Sequence, residues 1–328
     1  MKKIKFENKK KNKFTPLAIV LLVLLCVYCL SILFSLYWSV LTSLKINNNV
    51  FEYSKFGLPK YSYWKTLDGN RTEKRIAAAV KLAEADGGAL FYTYRNIWKY
   101  FVIKISSDNV VRMPTMYLYS FLYAFGSAIT STLVPCIAAY LCARYDFKFS
   151  KIMRNTVIVV MIIPIIGSMP SEIAMAKRLN MLDAFWGLWV MKANFLGLYF
   201  LVFYDIFKAM PKAFSEAAKI DGASNMQILV QIGLPLAKNT ISTVFLIRFV
   251  EFWNDYQTPM VFMSSMPTVA SGLNSLINGN LETNEAFNPQ HTPARMAAVV
   301  MTGLPVLVLF LVFQNKLMSN LTMGGVKG

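Results

Sequence analysis

The residues best equipped for chemistry lie in one apolar stretch, TVFLIRFVEFWNDYQTPMVF, at 243–262. Arg248, Glu251 and Asp255 follow at i, i+3 and i+7, so a helix through them carries all three on one face. Ionisable groups at membrane depth cost about 2.5–3.5 kcal/mol on insertion scales and face a bundle interior or a wet cavity. Such a face can hold or pass a polar solute through charge and hydrogen bonds. Asn254 adds an amide and Trp253 a flat apolar ring, the pairing that sugar sites favour. Two plainer readings stand beside this one. Arg248 and Glu251 form a structural ion pair, and Trp253 is a lipid-facing interface anchor.

A second stretch, Met210–Lys238, is a polar island between two hydrophobic runs. It reads as two short helices joined by a bend. Pro211 suits a first helical position, where its missing N–H costs nothing. Asp221-Gly222 halts that helix, since glycine takes backbone angles that other residues avoid. Ser224 and Gln227 form a capping box for the second helix, and Leu234-Pro235 is expected to end it. Glu216, Ala217 and Ala218 place one acid and two small side chains on a single turn, which lets a helix backbone approach another protein closely. The bland alternative is an amphipathic helix lying at a membrane interface.

Other chemistries lack their residues. Nothing matches G-x-x-x-x-G-K-[ST], the loop whose N–H groups cradle phosphates, so any ATP hydrolysis belongs to another chain. The single histidine, His291, sits beside prolines and reads as a solvated loop residue, which leaves no His-based triad or metal pair. Cys26, Cys29, Cys136 and Cys142 lie in or at the ends of apolar runs and follow no zinc spacing. The net charge of +17 invites a nucleic-acid partner, but the lysines and arginines flank apolar segments, as at membrane boundaries. Only 16% of the 328 residues are charged and 55% are hydrophobic, against about 25% charged in soluble domains. The composition is that of a membrane protein.

The elements that must position these residues follow in order. Residues 1–15 form a basic cytoplasmic tail, and 16–42 an uncleaved first span, longer than the apolar core of a signal peptide. Residues 43–113 read as an extracytoplasmic subdomain. Asn70 and Glu73 cap a helix there, Ile76, Val80 and Ala83 line its buried face, and Gly87-Gly88 stops it. FGLP at 56–59 and the aromatic run at 91–100 are expected to press on the membrane surface. Residues 114–328 hold five more spans: within Thr115–Cys142 with a kink at Pro135, Thr156–Ser171 with Pro164 and Pro170, Leu182–Phe207, Asn239–Met263 and Met296–Leu317. Lys192 in the fourth is read as snorkelling to the outer interface, and Ser264–Pro293 as a flexible outer loop. The lysine tail and Arg144, Lys148, Lys151 and Arg154 set one side as cytoplasmic, which places Met210–Lys238 and both termini there. Glu282 and Glu285 then fall outside. The excess of basic residues in 43–113 does not reverse this, because long loops translocate regardless of charge.

The ordered pattern E-A-A, three residues, Gly222, nine residues, Ile232, one residue, Leu234-Pro235 resembles the signature cytoplasmic loop of binding-protein-dependent ABC importer permeases. F-V-E-F-W-N-D-Y-Q-T-P at 249–259 looks like the matching segment of sugar-importer permeases. The ending NLTMGGVKG is similar to that of the membrane subunits of maltose and oligosaccharide importers. The resemblance covers spans two to six. It does not cover much of 60–92, which looks like an insertion, and Ile228 stands where the family often has Phe. The resemblance implies an all-α, six-helix type I importer permease fold and a second homologous permease subunit. It implies a cytoplasmic ATPase dimer carrying ATP and Mg, and an extracytoplasmic solute-binding protein. This chain would be no enzyme and hold no cofactor. Glu216, Ala217, Ala218, Asp221 and Gly222, with Leu234 and Pro235 behind them, would couple to the ATPase. Arg248, Glu251, Trp253, Asn254 and Asp255 would be candidates for the translocation path. The alternatives are an ABC permease for a non-sugar solute, such as a peptide or phosphorylated compound, and a self-sufficient channel or secondary transporter. No internal repeat of the kind common in secondary carriers is visible.

Overall fold

The computed structural model describes residues 16–323 apart from 107–108, 146–147, 164–166, 280–287 and 289, with the side chains of 148 and 315–323 also outside the description. The basic tail, Pro164, Glu282, Glu285 and the last five residues therefore lie outside the described residues.

Helix α1 (Pro16–Ser43) runs for 28 residues without a charge. Most of its side chains are exposed up to Tyr37, Trp38 and Ser39 are half-buried, and Leu41, Thr42 and Ser43 are buried. Next comes a cluster of short elements: α2 (Asn48–Tyr53), α3 (Tyr61–Trp64), α4 (Arg71–Ala85), α5 (Tyr92–Tyr100), and strands β1 (Val102–Lys104) and β2 (Val110–Arg112), which pair antiparallel. Asn70 caps α4 by accepting from the Glu73 N–H at 3.0 Å. Ile76, Val80 and Ala83 are buried against Ile46, Val50, Trp64 and Ala89, as their spacing on one face predicts. Gly87 and Gly88 end the helix with φ of +93° and +106°. Phe56 is exposed and its ring lies 6.3 Å from Phe34 on α1.

Lys45 is the feature of this region that the pattern did not announce. It is fully buried, and its Nζ donates to the carbonyls of Ser54 and Lys55, the latter at 3.0 Å. Thr93 Oγ1 donates to the Lys45 carbonyl at 2.6 Å, tying α5 to the end of α1. Lys45→Met removes the donor and leaves two carbonyls behind, a loss of about 1–3 kcal/mol. Faster hydrogen exchange across residues 48–55, with exchange in the long helices unchanged, is the expected result.

Helix α6 (Met113–Arg144) is the axis of the rest. It buries Ala124, Ser127, Ala128, Ser131, Thr132, Cys136 and Ala139, and side chains this small let neighbouring helices come close. At Gly126 the Trp189 indole fills the space that a Cβ would need, 2.2 Å from its ideal position. Then follow α7 (Lys148–Ile162), α8 (Met169–Arg178), α9 (Phe185–Lys192), α10 (Leu198–Ala209), α11 (Ala213–Ile220) and α12 (Asn225–Ile228). A π-turn at Leu229–Gly233 leads into α13 (Leu234–Leu236), α14 (Lys238–Asn254), α15 (Gln257–Phe262), α16 (Val269–Ile277) and α17 (Thr292–Met323). α9, α10, α14 and α16 pack on α6, and α1 packs on α17.

Among the described residues three helices are long and apolar enough to cross a membrane, α1, α6 and Thr292–Gln314 of α17, with a fourth if the pair bent by 73° at residue 237 counts as one. The other expected spans are reshaped. The third is α7, which ends at Ile162, and Pro170 opens α8 instead of lying inside a span. The fourth breaks at 193–197, where Asn194 Oδ1 accepts from the Leu196 N–H at 2.8 Å and competes with helical bonding. The fifth stops at Asn254, because the Pro259 ring would clash with the carbonyl of residue 255 in a continuous helix. The stretch read as a flexible outer loop contains α16, capped by Thr268 and buried through Val269, Ala270 and Leu276.

Candidate functional site

The first helix of the polar island, α11, begins two residues later than its proline suggests: Ala213 is its first residue, Lys212 is the N-cap, and Pro211 precedes it. α11 ends in a paired-bond cap. The Gly222 N–H reaches the Lys219 carbonyl at 3.1 Å, and the Ala223 N–H reaches the Ala218 carbonyl at 2.9 Å. This cap needs a left-handed residue, and Gly222 supplies φ +82°. Nothing lies within 4 Å of a Cβ built there, so the demand for glycine is conformational and not steric. Ser224 and Gln227 complete the expected capping box, with bonds of 2.7 and 3.3 Å.

Leu234-Pro235 does not end the second helix. The chain widens into the π-turn, whose Leu234 N–H bonds the Leu229 carbonyl, and stays helical to Leu236. Pro235 lies in the first turn of α13, where its missing N–H is tolerated. The break falls at Ala237. Gly233 in the π-turn packs on the Tyr140 ring, 2.8 Å from where a Cβ would stand, so this part of the loop seats directly on α6.

No residue of α11 is buried. Glu216, Ala217, Asp221 and Gly222 are exposed, Ala218 is half-buried, and Ile220 is 87% exposed. α11 therefore presents an acid, small residues and an uncovered isoleucine on its surface. It is nevertheless fixed to the body. Arg144, the last residue of α6, donates to the Met210 carbonyl at 2.9 Å and to Ser215 Oγ at 2.6 Å. The Lys219 ammonium lies 5.9 Å from the centre of the Tyr145 ring. The sequence marks Arg144 only as a topology signal. Its anchoring role joins residues 66 and 71 positions apart, which no local pattern reveals.

The charged face of α14 divides in two. Arg248 Nη1 and Glu251 Oε2 pair at 2.9 Å, and the Arg248 guanidinium sits 4.7 Å from the centre of the Tyr199 ring. Asp255 does not join them, because the helix ends just before it. Its carboxylate accepts from Tyr123 Oη at 2.8 Å and from the Thr258 N–H at 3.1 Å. Lys192 Nζ lies 4.0 Å from the same carboxylate and donates to Thr258 Oγ1 at 3.2 Å. Lys192 is therefore paired inside the bundle and does not snorkel. Lys192 ends α9 and Asp255 caps α14, so two interrupted helices meet at this ion pair.

Trp253 belongs to the core. It is 4% exposed, its Nε1 donates to the Thr302 carbonyl at 3.1 Å, and it packs between Tyr117 and Phe249. It is neither a lipid-facing anchor nor part of an open wall of this chain. Asn254 is exposed, with its amide donating to the Val250 carbonyl at 2.9 Å. His291 is half-buried at the head of α17, where burial lowers its pKa below the usual histidine value. Among the described residues there is no group of three or more His, Cys, Asp or Glu side chains able to hold a metal.

The loop and the charge cluster fall almost wholly inside a recognised sequence family. Residues 131–317 match the family described as "Binding-protein-dependent transport system inner membrane component". The sn-glycerol-3-phosphate transport system permease protein UgpE of Pectobacterium atrosepticum is 27% identical over 234 residues, 70% of this chain and 78% of that one. The UgpE protein of Yersinia pestis bv. Antiqua is 29% identical over 231 residues, again 70% and 78%. Among solved structures, a bacterial ABC transporter involved in the import of the acidic polysaccharide alginate superposes with a TM-score of 0.66. That match covers 95% of this chain and 99% of the other at 21% identity, which speaks to the fold.

Proposed function

Because the chain belongs to the family of binding-protein-dependent transport system inner membrane components, we propose that it is the permease subunit of an ATP-driven importer for a sugar or oligosaccharide. The observation that carries this reading is α11, a helix with no buried residue, closed by a glycine cap and tied to the long helix α6 through Arg144. In the proposed cycle α11 sits in a cleft of a cytoplasmic ATPase, which holds the ATP and Mg. ATP-driven closure of an ATPase pair draws the loop toward its counterpart on a second, homologous permease. Arg144 and the seat of Gly233 on Tyr140 pass that movement to α6. At the far end of α6, Tyr123 holds Asp255 and with it the junction of the interrupted helices α9 and α14. Alternating access then exposes the path between the two permeases to either side, and an external binding protein delivers the solute.

The proposed topology has six crossings, with α7, the broken pair α9–α10 and the bent unit α12–α14 supplying those that length alone does not establish. Both termini lie in the cytoplasm and residues 43–113 outside. Labelling tests this directly. A cysteine at Ser224 is expected to react only from the cytoplasm, and one at Lys74 only from outside. Reaction of both from one face would refute the arrangement.

A second reading has its own support: a phosphorylated polyol as the solute, given what the two relatives are named for. Arg248 and Lys192 would then supply cations near the path. Uptake into vesicles holding both permeases and the ATPase pair separates the possibilities. Sugar uptake that needs ATP and the binding protein supports the main reading, and uptake of glycerol phosphate alone supports the second. Uptake with no ATPase present would overturn both and leave a self-sufficient channel.

A further inference from the structure

Beside the loop anchor, the ends of α6, α7 and α10 enclose a cavity of ≈ 490 Å³. Arg144, Lys151, Arg154, Lys208 and Lys212 line it, together with Tyr204, and among the described residues its lining includes no carboxylate. Arg144 spends its N–H groups on Met210 and Ser215. Arg154 and Lys208 each lie 5.7 Å from the centre of the Tyr204 ring, which holds both cations at the cavity without neutralising them. Asp205 is the only acid on α10, and among the described residues it makes no ion pair with any of these cations. Five cations around one cavity repel one another, and a bound anion relieves that repulsion.

The apolar surroundings select the kind of anion. α7, which brings Lys151 and Arg154, continues away from the cavity with Ile158, Val159, Met161 and Ile162 exposed. One helix therefore offers cations at its start and an uncovered apolar face along the rest. A soluble phosphate uses only the first. A phospholipid uses both, with its phosphate in the cavity and its acyl chains along α7, and basic pockets between helices at the cytoplasmic face bind such headgroups. We propose that this cavity is a binding site for the phosphate headgroup of an anionic phospholipid from the cytoplasmic leaflet. The inference rests on the reading above only in placing this end of the bundle at the cytoplasmic membrane face.

The test uses the full permease complex in nanodiscs, with phosphatidylglycerol in a phosphatidylcholine background, and native mass spectrometry of the retained lipid. The wild type is expected to keep phosphatidylglycerol through purification. Lys151→Gln/Arg154→Gln/Lys208→Gln is expected to bind it about a hundredfold more weakly, at roughly fivefold per basic side chain near an anionic surface. Arg154→Lys keeps the charge and is expected to retain the lipid, which separates lost recognition from lost folding. Equal retention by the triple variant overturns the proposal. Displacement of the lipid by millimolar inorganic phosphate overturns the lipid source in favour of a soluble anion. Unchanged lipid with lost ATPase association also overturns it and assigns the cations to an acidic protein surface. Lipid retention is read without transport, so a negative result here leaves the importer reading standing, and a failure of uptake leaves the lipid result readable.

Discussion

Gly222→Val is expected to abolish solute uptake while the chain still inserts in the membrane at normal levels. The cap at the end of α11 requires φ of +82° at this position. A β-branched residue is a genuine outlier there, and holding it in place costs about 1–3 kcal/mol. The empty space around the site means that no neighbour is displaced, so the strain stays in the bend. An exposed two-helix loop with few contacts relieves such strain by changing its angle. The angle is what an ATPase cleft would read. Gly222→Asn is the control, since asparagine tolerates left-handed angles, and it is expected to retain most uptake. Glu216→Ala acts at the same surface without bending it. Truncating one partner of a desolvated charged contact costs about 2–5 kcal/mol. Uptake by reconstituted vesicles, with co-purification of the ATPase, measures both. Normal uptake by Gly222→Val and Glu216→Ala together would remove α11 from any coupling role.

Asp255→Asn is expected to cut uptake strongly and to destabilise the junction of α9 and α14. The substitution keeps the shape and removes the charge that faces Lys192 at 4.0 Å. Lys192 is then left as a cation with about a quarter of its side chain exposed. An unsatisfied group of this kind costs about 1–3 kcal/mol. Lys192→Met alone carries a similar penalty from the other side, leaving the carboxylate with Tyr123 and the Thr258 N–H. The double variant removes both charges and is expected to recover part of the loss, because the singles share one interaction. Thermal unfolding in detergent gives the cycle, and uptake gives its functional counterpart. Strictly additive losses would mean that the pair does not act as a unit.

Features set within a few residues of one another were legible in the sequence. The glycine cap at 222, the Ser224–Gln227 box and the buried face of α4 all follow from local spacing, and the structure forms each of them. The misread features have distant or opposing causes. Lys192 looked like an interface lysine because its partner is 63 positions away, at the far side of a loop. Arg248, Glu251 and Asp255 looked like one face because periodicity assumes a continuous helix, and Pro259 interrupts it after Asn254. Pro235 looked like a stop because a π-turn that absorbs a proline leaves no mark in the pattern. Trp253 could be polar wall, lipid anchor or core by type alone. Only the position of α17, which offers the Thr302 carbonyl, decides for the core.

The packing of α1 on α17 sets an order of assembly. These two helices are separated by roughly 250 residues of chain. During synthesis at about 5–20 residues per second, α1 waits on the order of tens of seconds before its partner emerges. Through that interval its C-terminal part packs on Phe51, Phe56 and Tyr94, while most of its uncharged length faces outward without its partner. A nascent chain stopped before residue 292 would hold α1 by the contacts of its C-terminal part alone, with the face that meets α17 uncovered. Closing the pair cannot precede the synthesis of α17, and it is a step at which a quality-control protease could distinguish a paired α1 from an unpaired one.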